Sequence, residues 1–97
     1  MKFEVVFSPN AELDLAYYRT FEQRIIVDAI KGHMVVGADV ESKRRKKMIE
    51  NRLAAWELRA GDFRVFYEIE GDATVKIISI GHKQHNTLFI RGEMAEL

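Results

Sequence analysis

The chain has 97 residues with 15 basic and 15 acidic side chains, a formal charge of zero, and is 47% hydrophobic and 31% charged. That length fits one domain, expected over residues 1–97, and excludes a second catalytic domain. The globular composition with a single proline excludes a disordered or collagen-like polymer, and the lack of cysteine excludes disulfides, thiolate metal sites and a cysteine nucleophile. No apolar run approaches the roughly 20 residues of a membrane helix. The first residues lack the apolar core of a signal peptide, so a cytoplasmic protein without a membrane partner is expected.

Residues Lys2 to Phe7 alternate Phe3, Val5 and Phe7 with Lys2, Glu4 and Val6, the period of a half-buried strand. Ser8-Pro9-Asn10 then supplies a helix start: serine caps free N–H groups, and proline at the first helical position has no N–H to lose. Leu13, Ala16 and Tyr17 follow at helical spacing. Thr20-Phe21-Glu22-Gln23 reads as a capping box opening a second helix, with Phe21, Ile25, Ala29 and Ile30 on one stripe and Gly32 as its stop. Residues His33 to Arg52 show no apolar periodicity and read as a loop. Beyond it, Ala54–Ala60, Phe63–Glu70 and Thr74–Ile80 read as strands separated by Gly61-Asp62 and Gly71-Asp72 turns. The expected fold is α+β: an N-terminal strand, a two-helix hairpin and a three-stranded antiparallel meander with the helices on one face.

A two-residue Gly61-Asp62 turn pairs Ala60 with Phe63, Arg59 with Arg64, Leu58 with Val65 and Trp56 with Tyr67. This register puts every large apolar residue of the hairpin except Phe66 on one face. It also sets Arg59 opposite Arg64, a like-charge pair costing about 0.2–1 kcal/mol unless an anion lies between them. Two sources of that anion are open: Glu57 or Glu68 from the same face, or an external phosphate.

Charge is unevenly spread. Residues 1–42 hold four basic and seven acidic side chains, whereas Lys43 to Arg64 hold eight basic and three acidic ones. The run Lys43-Arg44-Arg45-Lys46-Lys47, ahead of Arg59 and Arg64, reads either as a solvated loop or as a phosphate cradle. His82 and His85 are spaced for one side of a helix, with His33 elsewhere, but no acidic cluster accompanies them and no metal site is expected. Gly-x-Ser-x-Gly, the phosphate-binding Gly-x-x-x-x-Gly-Lys and Gly-x-Gly-x-x-Gly are absent, so no nucleotide cofactor is expected.

The stretch Trp56-Glu57-Leu58-Arg59-Ala60-Gly61-Asp62-Phe63-Arg64-Val65-Phe66-Tyr67-Glu68-Ile69, followed by Val75-Lys76-Ile77-Ile78-Ser79-Ile80-Gly81-His82-Lys83, resembles the C-terminal half of the RelE/ParE superfamily of toxin–antitoxin toxins. The order of elements is similar to that family's fold over nearly the whole chain. The resemblance implies a toxin neutralised by a cognate antitoxin. In the RelE branch it implies a ribosome-dependent endoribonuclease that cuts mRNA without metal, the 2′-hydroxyl attacking the adjacent phosphate. Such a reaction needs a base, cations for the developing phosphate charge and an acid for the leaving oxygen. Arg64 matches the family's phosphate-stabilising arginine, Lys83 a second basic residue, and Lys46 or Lys47 the region of an acid/base residue. Arg59, Lys43, Arg44, Arg45, Lys47 and His85 are the further phosphate-binding candidates.

The chain departs from the best-studied branch at Ala55 and Glu57, where that branch has lysines, and at Phe89, where it has a tyrosine; phenylalanine exchanges no proton. The acid/base role then falls to His82, His85 or Glu57. The alternatives are a ParE-like toxin that poisons DNA gyrase and a non-toxic binding module with the same fold. All three expect a peptide partner, with Phe66, Leu88, Phe89 and Ile90 as candidates for covered surface and core packing as the competing account of each.

Overall fold

The computed structural model describes residues 2–96. Strand β1 (Glu4–Phe7) leads into helices α1 (Pro9–Tyr17) and α2 (Thr20–His33). Strands β2 (Arg45–Lys47), β3 (Trp56–Ala60), β4 (Phe63–Glu70), β5 (Thr74–Gln84), β6 (Thr87–Ile90) and β7 (Glu93–Met94) follow and lie side by side in that order. The α+β plan and the helices on one face match the expectation. Ala11, Tyr18, Ile26 and Ile30 of the helical segment pack with Trp56, Leu58, Val65, Tyr67, Val75, Ile77 and Ile80 of the sheet.

The β3–β4 hairpin has the register derived from the Gly61-Asp62 turn, residue for residue. Gly61 takes φ +60, open to glycine at no steric cost. Trp56 stacks on Tyr67 with centroids 5.9 Å apart, a contact worth about 0.5–1.5 kcal/mol beyond its buried area. The next turn has three residues, 71–73, between Glu70 and Thr74. A register shift at Phe66/Tyr67 then keeps the apolar faces of β4 and β5 aligned.

Several boundaries differ from the sequence reading. The third strand of the meander runs on to Gln84 and turns through His85-Asn86, both at positive φ, into β6, so no helix carries His82 and His85. Within the expected loop, Arg45–Lys47 forms a short edge strand on β3. The second helix is capped one residue earlier than the Thr20 box implied: the Arg19 amide donates to Glu22 Oε1 at 3.1 Å. It passes through Gly32 and ends at Met34, whose N–H reaches the Ile30 carbonyl.

Of the apolar stripes chosen from helical spacing, Ala29 and Ile30 pack on the core, but the remaining members face outward. Leu13, Tyr17, Phe21 and Ile25 are about half exposed, whereas Ala11, Asp14 and Ile26 are buried. A carboxylate turns inward here because β5 has an edge to satisfy. Strand β1 runs parallel to β5 over Thr74–Ile77 and β6 pairs with it from His82 onward, leaving a gap between them. The Ser8 amide and hydroxyl donate to the Ile77 and Ile78 carbonyls, each at 2.9 Å. Asp14 Oδ2 accepts from Ser79 Oγ at 2.7 Å and from the Ile80 amide at 2.9 Å. The other Asp14 oxygen lies 2.9 Å from Arg91 Nε. An unpaired buried amide there would cost about 1–3 kcal/mol, which outweighs the hydrophobic preference of the stripe.

A second, smaller core covers the sheet face away from the helices. Phe66, Leu88 and Ala54 are buried there with Met48, Leu53, Ile78, Ile90 and Ala95 against them. Phe66 and Leu88 are therefore core residues and not partner surface; the strands expected from the sequence ended at Ile80 and omitted β6, which brings Leu88 into one cluster with Phe66. Gly81 permits this approach, since a Cβ on it would strike the Phe89 carbonyl oxygen.

Candidate functional site

An open groove of about 850 Å³ lies between the helical hairpin and the turn end of β3–β4. Tyr17, Tyr18, Phe21 and Ile25 form one wall; Ala60 to Phe63 and His82 to Gln84 form the other. Helical periodicity put Tyr17 on the apolar spacing of the first helix and Phe21 and Ile25 on the stripe of the second; only packing shows that these side chains line an open groove. Tyr18 and Arg19 were not singled out, and their position between the two helices gives no periodic signal.

His82 is set in the groove floor by three aromatic neighbours. Its ring meets Tyr18 edge-on at 5.7 Å and stacks on Phe89 at 5.6 Å, while Phe63 is its cross-strand partner. Tyr18 Oη lies 2.8 Å from His82 Nδ1. Burial, followed by the neighbouring Tyr17, Asp14 and Glu22, holds the Tyr18 hydroxyl protonated far above the ordinary tyrosine range. The Tyr18 hydroxyl donates to Nδ1 or accepts from it according to the His82 tautomer, and either way the contact fixes the ring. Phe89 contributes a stacking face here and no exchangeable proton.

The other candidates lie apart from His82. Side chains alternate along a strand, so Arg64 follows Phe63 onto the opposite face, where its cross-strand partner is Gly81. Its Nη1 donates to the Gly61 and Phe63 carbonyls at 2.7 and 2.9 Å, fastening the guanidinium to its own hairpin turn. Arg59 is opposite Arg64 as expected, but the anion beside it is Glu57, whose Oε1 lies 3.1 Å from Arg59 Nε. Glu57 is only 4% exposed, so this pairing, and not a link from Glu57 to Arg64, satisfies its charge. Lys83 lines the groove beside His82.

The basic run is divided by its strand. Lys46 is opposite Glu57 at the sheet edge, with Lys47 next to it; both are exposed, as are Lys43 and Arg44. Arg45 is structural: its Nε donates to the Val40 carbonyl at 2.9 Å and its Nη1 to the His33 carbonyl at 3.2 Å. Partial burial, then Arg45 and Arg44, lower the His33 pKa. His85 is exposed in the β5–β6 turn. The three histidines thus stand on separate elements, and among the described residues no group of three or more metal-ligating side chains occurs. No helix among them is long and apolar enough to cross a membrane.

Comparison with solved structures finds the toxin–antitoxin complex RelBE2 from Mycobacterium tuberculosis, at 19% identity and a TM-score of 0.69, with 86% of this chain and all of that chain covered. That likeness establishes the shared fold. Among curated proteins, no sequence matches this chain. The family model for the ParE toxin of the type II toxin–antitoxin system parDE matches residues 5–87, from β1 to the start of β6. With that match spanning most of its length, the chain belongs to the ParE toxin family of type II toxin–antitoxin systems.

Proposed function

We propose that this chain is a toxin that acts by binding its target, in the manner of a ParE toxin on DNA gyrase, and that a cognate antitoxin neutralises it. The observation that carries this reading is the separation of His82 from the cationic candidates: His82 faces the groove with Phe63, whereas Arg64, tied to its own turn, and Lys46 on the edge strand belong to the other face. RNA cleavage by 2′-hydroxyl attack needs its base, acid and phosphate-stabilising cations converging on one phosphate. The pairing of Arg59 with Glu57 and the phenylalanine at position 89 support the same reading. For the antitoxin, the groove with Tyr17, Phe21 and Ile25 exposed along it suits the apolar side of an amphipathic segment.

The experiment is inducible expression without an antitoxin, followed by assays for covalent gyrase–DNA complexes and for new mRNA ends. Growth arrest with cleavage complexes and intact mRNA is expected. Arrest with new ends inside translated codons would replace this reading with the RelE-like ribonuclease, and normal growth would leave a binding module.

A further inference from the structure

At the far end of β3 from the groove, the loop between β2 and β3 combines three features. Ile49 is 89% exposed, the most exposed large apolar side chain among the described residues. The loop is rigidly built: Asn51 Nδ2 donates to the Ile49 and Ala54 carbonyls at 2.8 and 2.9 Å, while its Oδ1 accepts from the Leu53 and Ala54 amides at 2.7 and 3.0 Å. Met48, Leu53 and Ala54 anchor it to the second core. The flanks are basic, with Lys46, Lys47 and Arg52 exposed; the acidic neighbours are exposed Glu50 and partly buried Glu68.

A lone exposed isoleucine is ordinary on a protein surface. Ile49 differs because the amide beside it uses both its donor and acceptor groups to hold the loop, and the loop's packing contacts come from its neighbours. A side chain held out by a preorganised loop loses little conformational freedom on binding, which is what distinguishes an interface anchor from an incidental contact. An aliphatic residue offers no stacking surface to a base, so the basic flanks point to an acidic protein surface rather than to nucleic acid.

We propose that this loop holds the toxin's protein target, with Ile49 entering an apolar pocket rimmed by carboxylates. The inference rests on the reading of the chain as a binding toxin and assigns target and antitoxin to opposite ends of β3.

The test compares the wild type with Ile49→Asp and Ile49→Val for growth arrest on induction, inhibition of purified DNA gyrase, capture by the antitoxin and thermal midpoint. Ile49→Asp is expected to lose arrest and to weaken gyrase inhibition roughly tenfold or more, with antitoxin capture and midpoint unchanged and Ile49→Val like the wild type. Unaltered arrest by Ile49→Asp would overturn the proposal, as would loss of antitoxin capture in its place. Charge reversal at Lys46, Lys47 and Arg52 that abolishes RNA retention, while Ile49→Asp changes nothing, would make the loop a nucleic-acid surface and also overturn it. If the wild type arrests growth without affecting gyrase, the gyrase reading falls, and the arrest phenotype of Ile49→Asp still decides the role of the loop.

Discussion

The Asp14 carboxylate accepts the Ile80 amide hydrogen across 2.9 Å, joining the first helix to the middle of the longest strand. With Ser8 it closes the stretch of β5 that neither β1 nor β6 covers. Replacing Asp14 with alanine leaves the Ser79 hydroxyl, the Ile80 amide and Arg91 without their partner. A loss of about 3 kcal/mol is expected, measured as a fall in the urea midpoint with the slope unchanged. Loss of no more than a few tenths of a kcal/mol would show that water replaces the carboxylate.

Gly81 is expected to tolerate no side chain. A Cβ there meets the Phe89 carbonyl, the Ile90 side chain and the Leu88 side chain together. Gly81→Ala should cost about 1–3 kcal/mol through overpacking and should loosen β6, visible as faster amide exchange at Leu88 and Phe89. Gly61→Ala provides the contrast, since no atom crowds that position and only its positive φ opposes substitution.

Alkaline pH should destabilise the fold. Burial raises the Tyr67 hydroxyl far above its ordinary value, and the group donates to the Ala38 carbonyl at 2.8 Å. Above about pH 10 the unfolded chain loses this proton while the folded chain keeps it. The contribution is therefore intact at neutral pH and is lost as pH rises beyond the unfolded value. Unfolding free energies at pH 8, 10 and 11 should fall steadily in the wild type and less steeply in Tyr67→Phe; equal slopes would assign the alkaline loss elsewhere.

Arg64 separates the binding reading from the catalytic one. Its contacts are the Gly61 and Phe63 carbonyls, so Arg64→Ala should lower stability by about 1 kcal/mol and leave growth arrest in place once expression is matched. Abolished arrest in a folded Arg64→Ala protein would restore the arginine to the functional site.

Local rules made the hairpin legible. A glycine turn plus period-two alternation fixes which residues of β3 and β4 oppose each other, because a one-residue slip would move the apolar set out of the core. Serine followed by proline likewise marked the start of α1, where Ser8 Oγ accepts the Ala11 amide at 3.0 Å. The motif from Trp56 to Lys83 carried the family resemblance, which the family match supports. Beyond Ile80 these signals weaken: the His85-Asn86 turn needs positive φ without glycine, and β6 is covered by the second core, whose loop residues have no periodicity.

The sequence alone determined the order of the main elements up to β5, though not the edge strand β2, together with the β3–β4 register and the toxin family. Each rests on neighbours in sequence or on alternation, which the local backbone enforces. Which stripe of α1 turns inward, whether Arg64 is free, and that His82 and Arg64 occupy opposite faces were decided only by the tertiary structure. Two of these depend on partners far along the chain: the unpaired edge of β5 draws Asp14 inward, and the shifted β4–β5 register sets His82 opposite Phe63; Arg64 is captured by the nearby Gly61 and Phe63 carbonyls, whose positions exist only once the hairpin turn has formed.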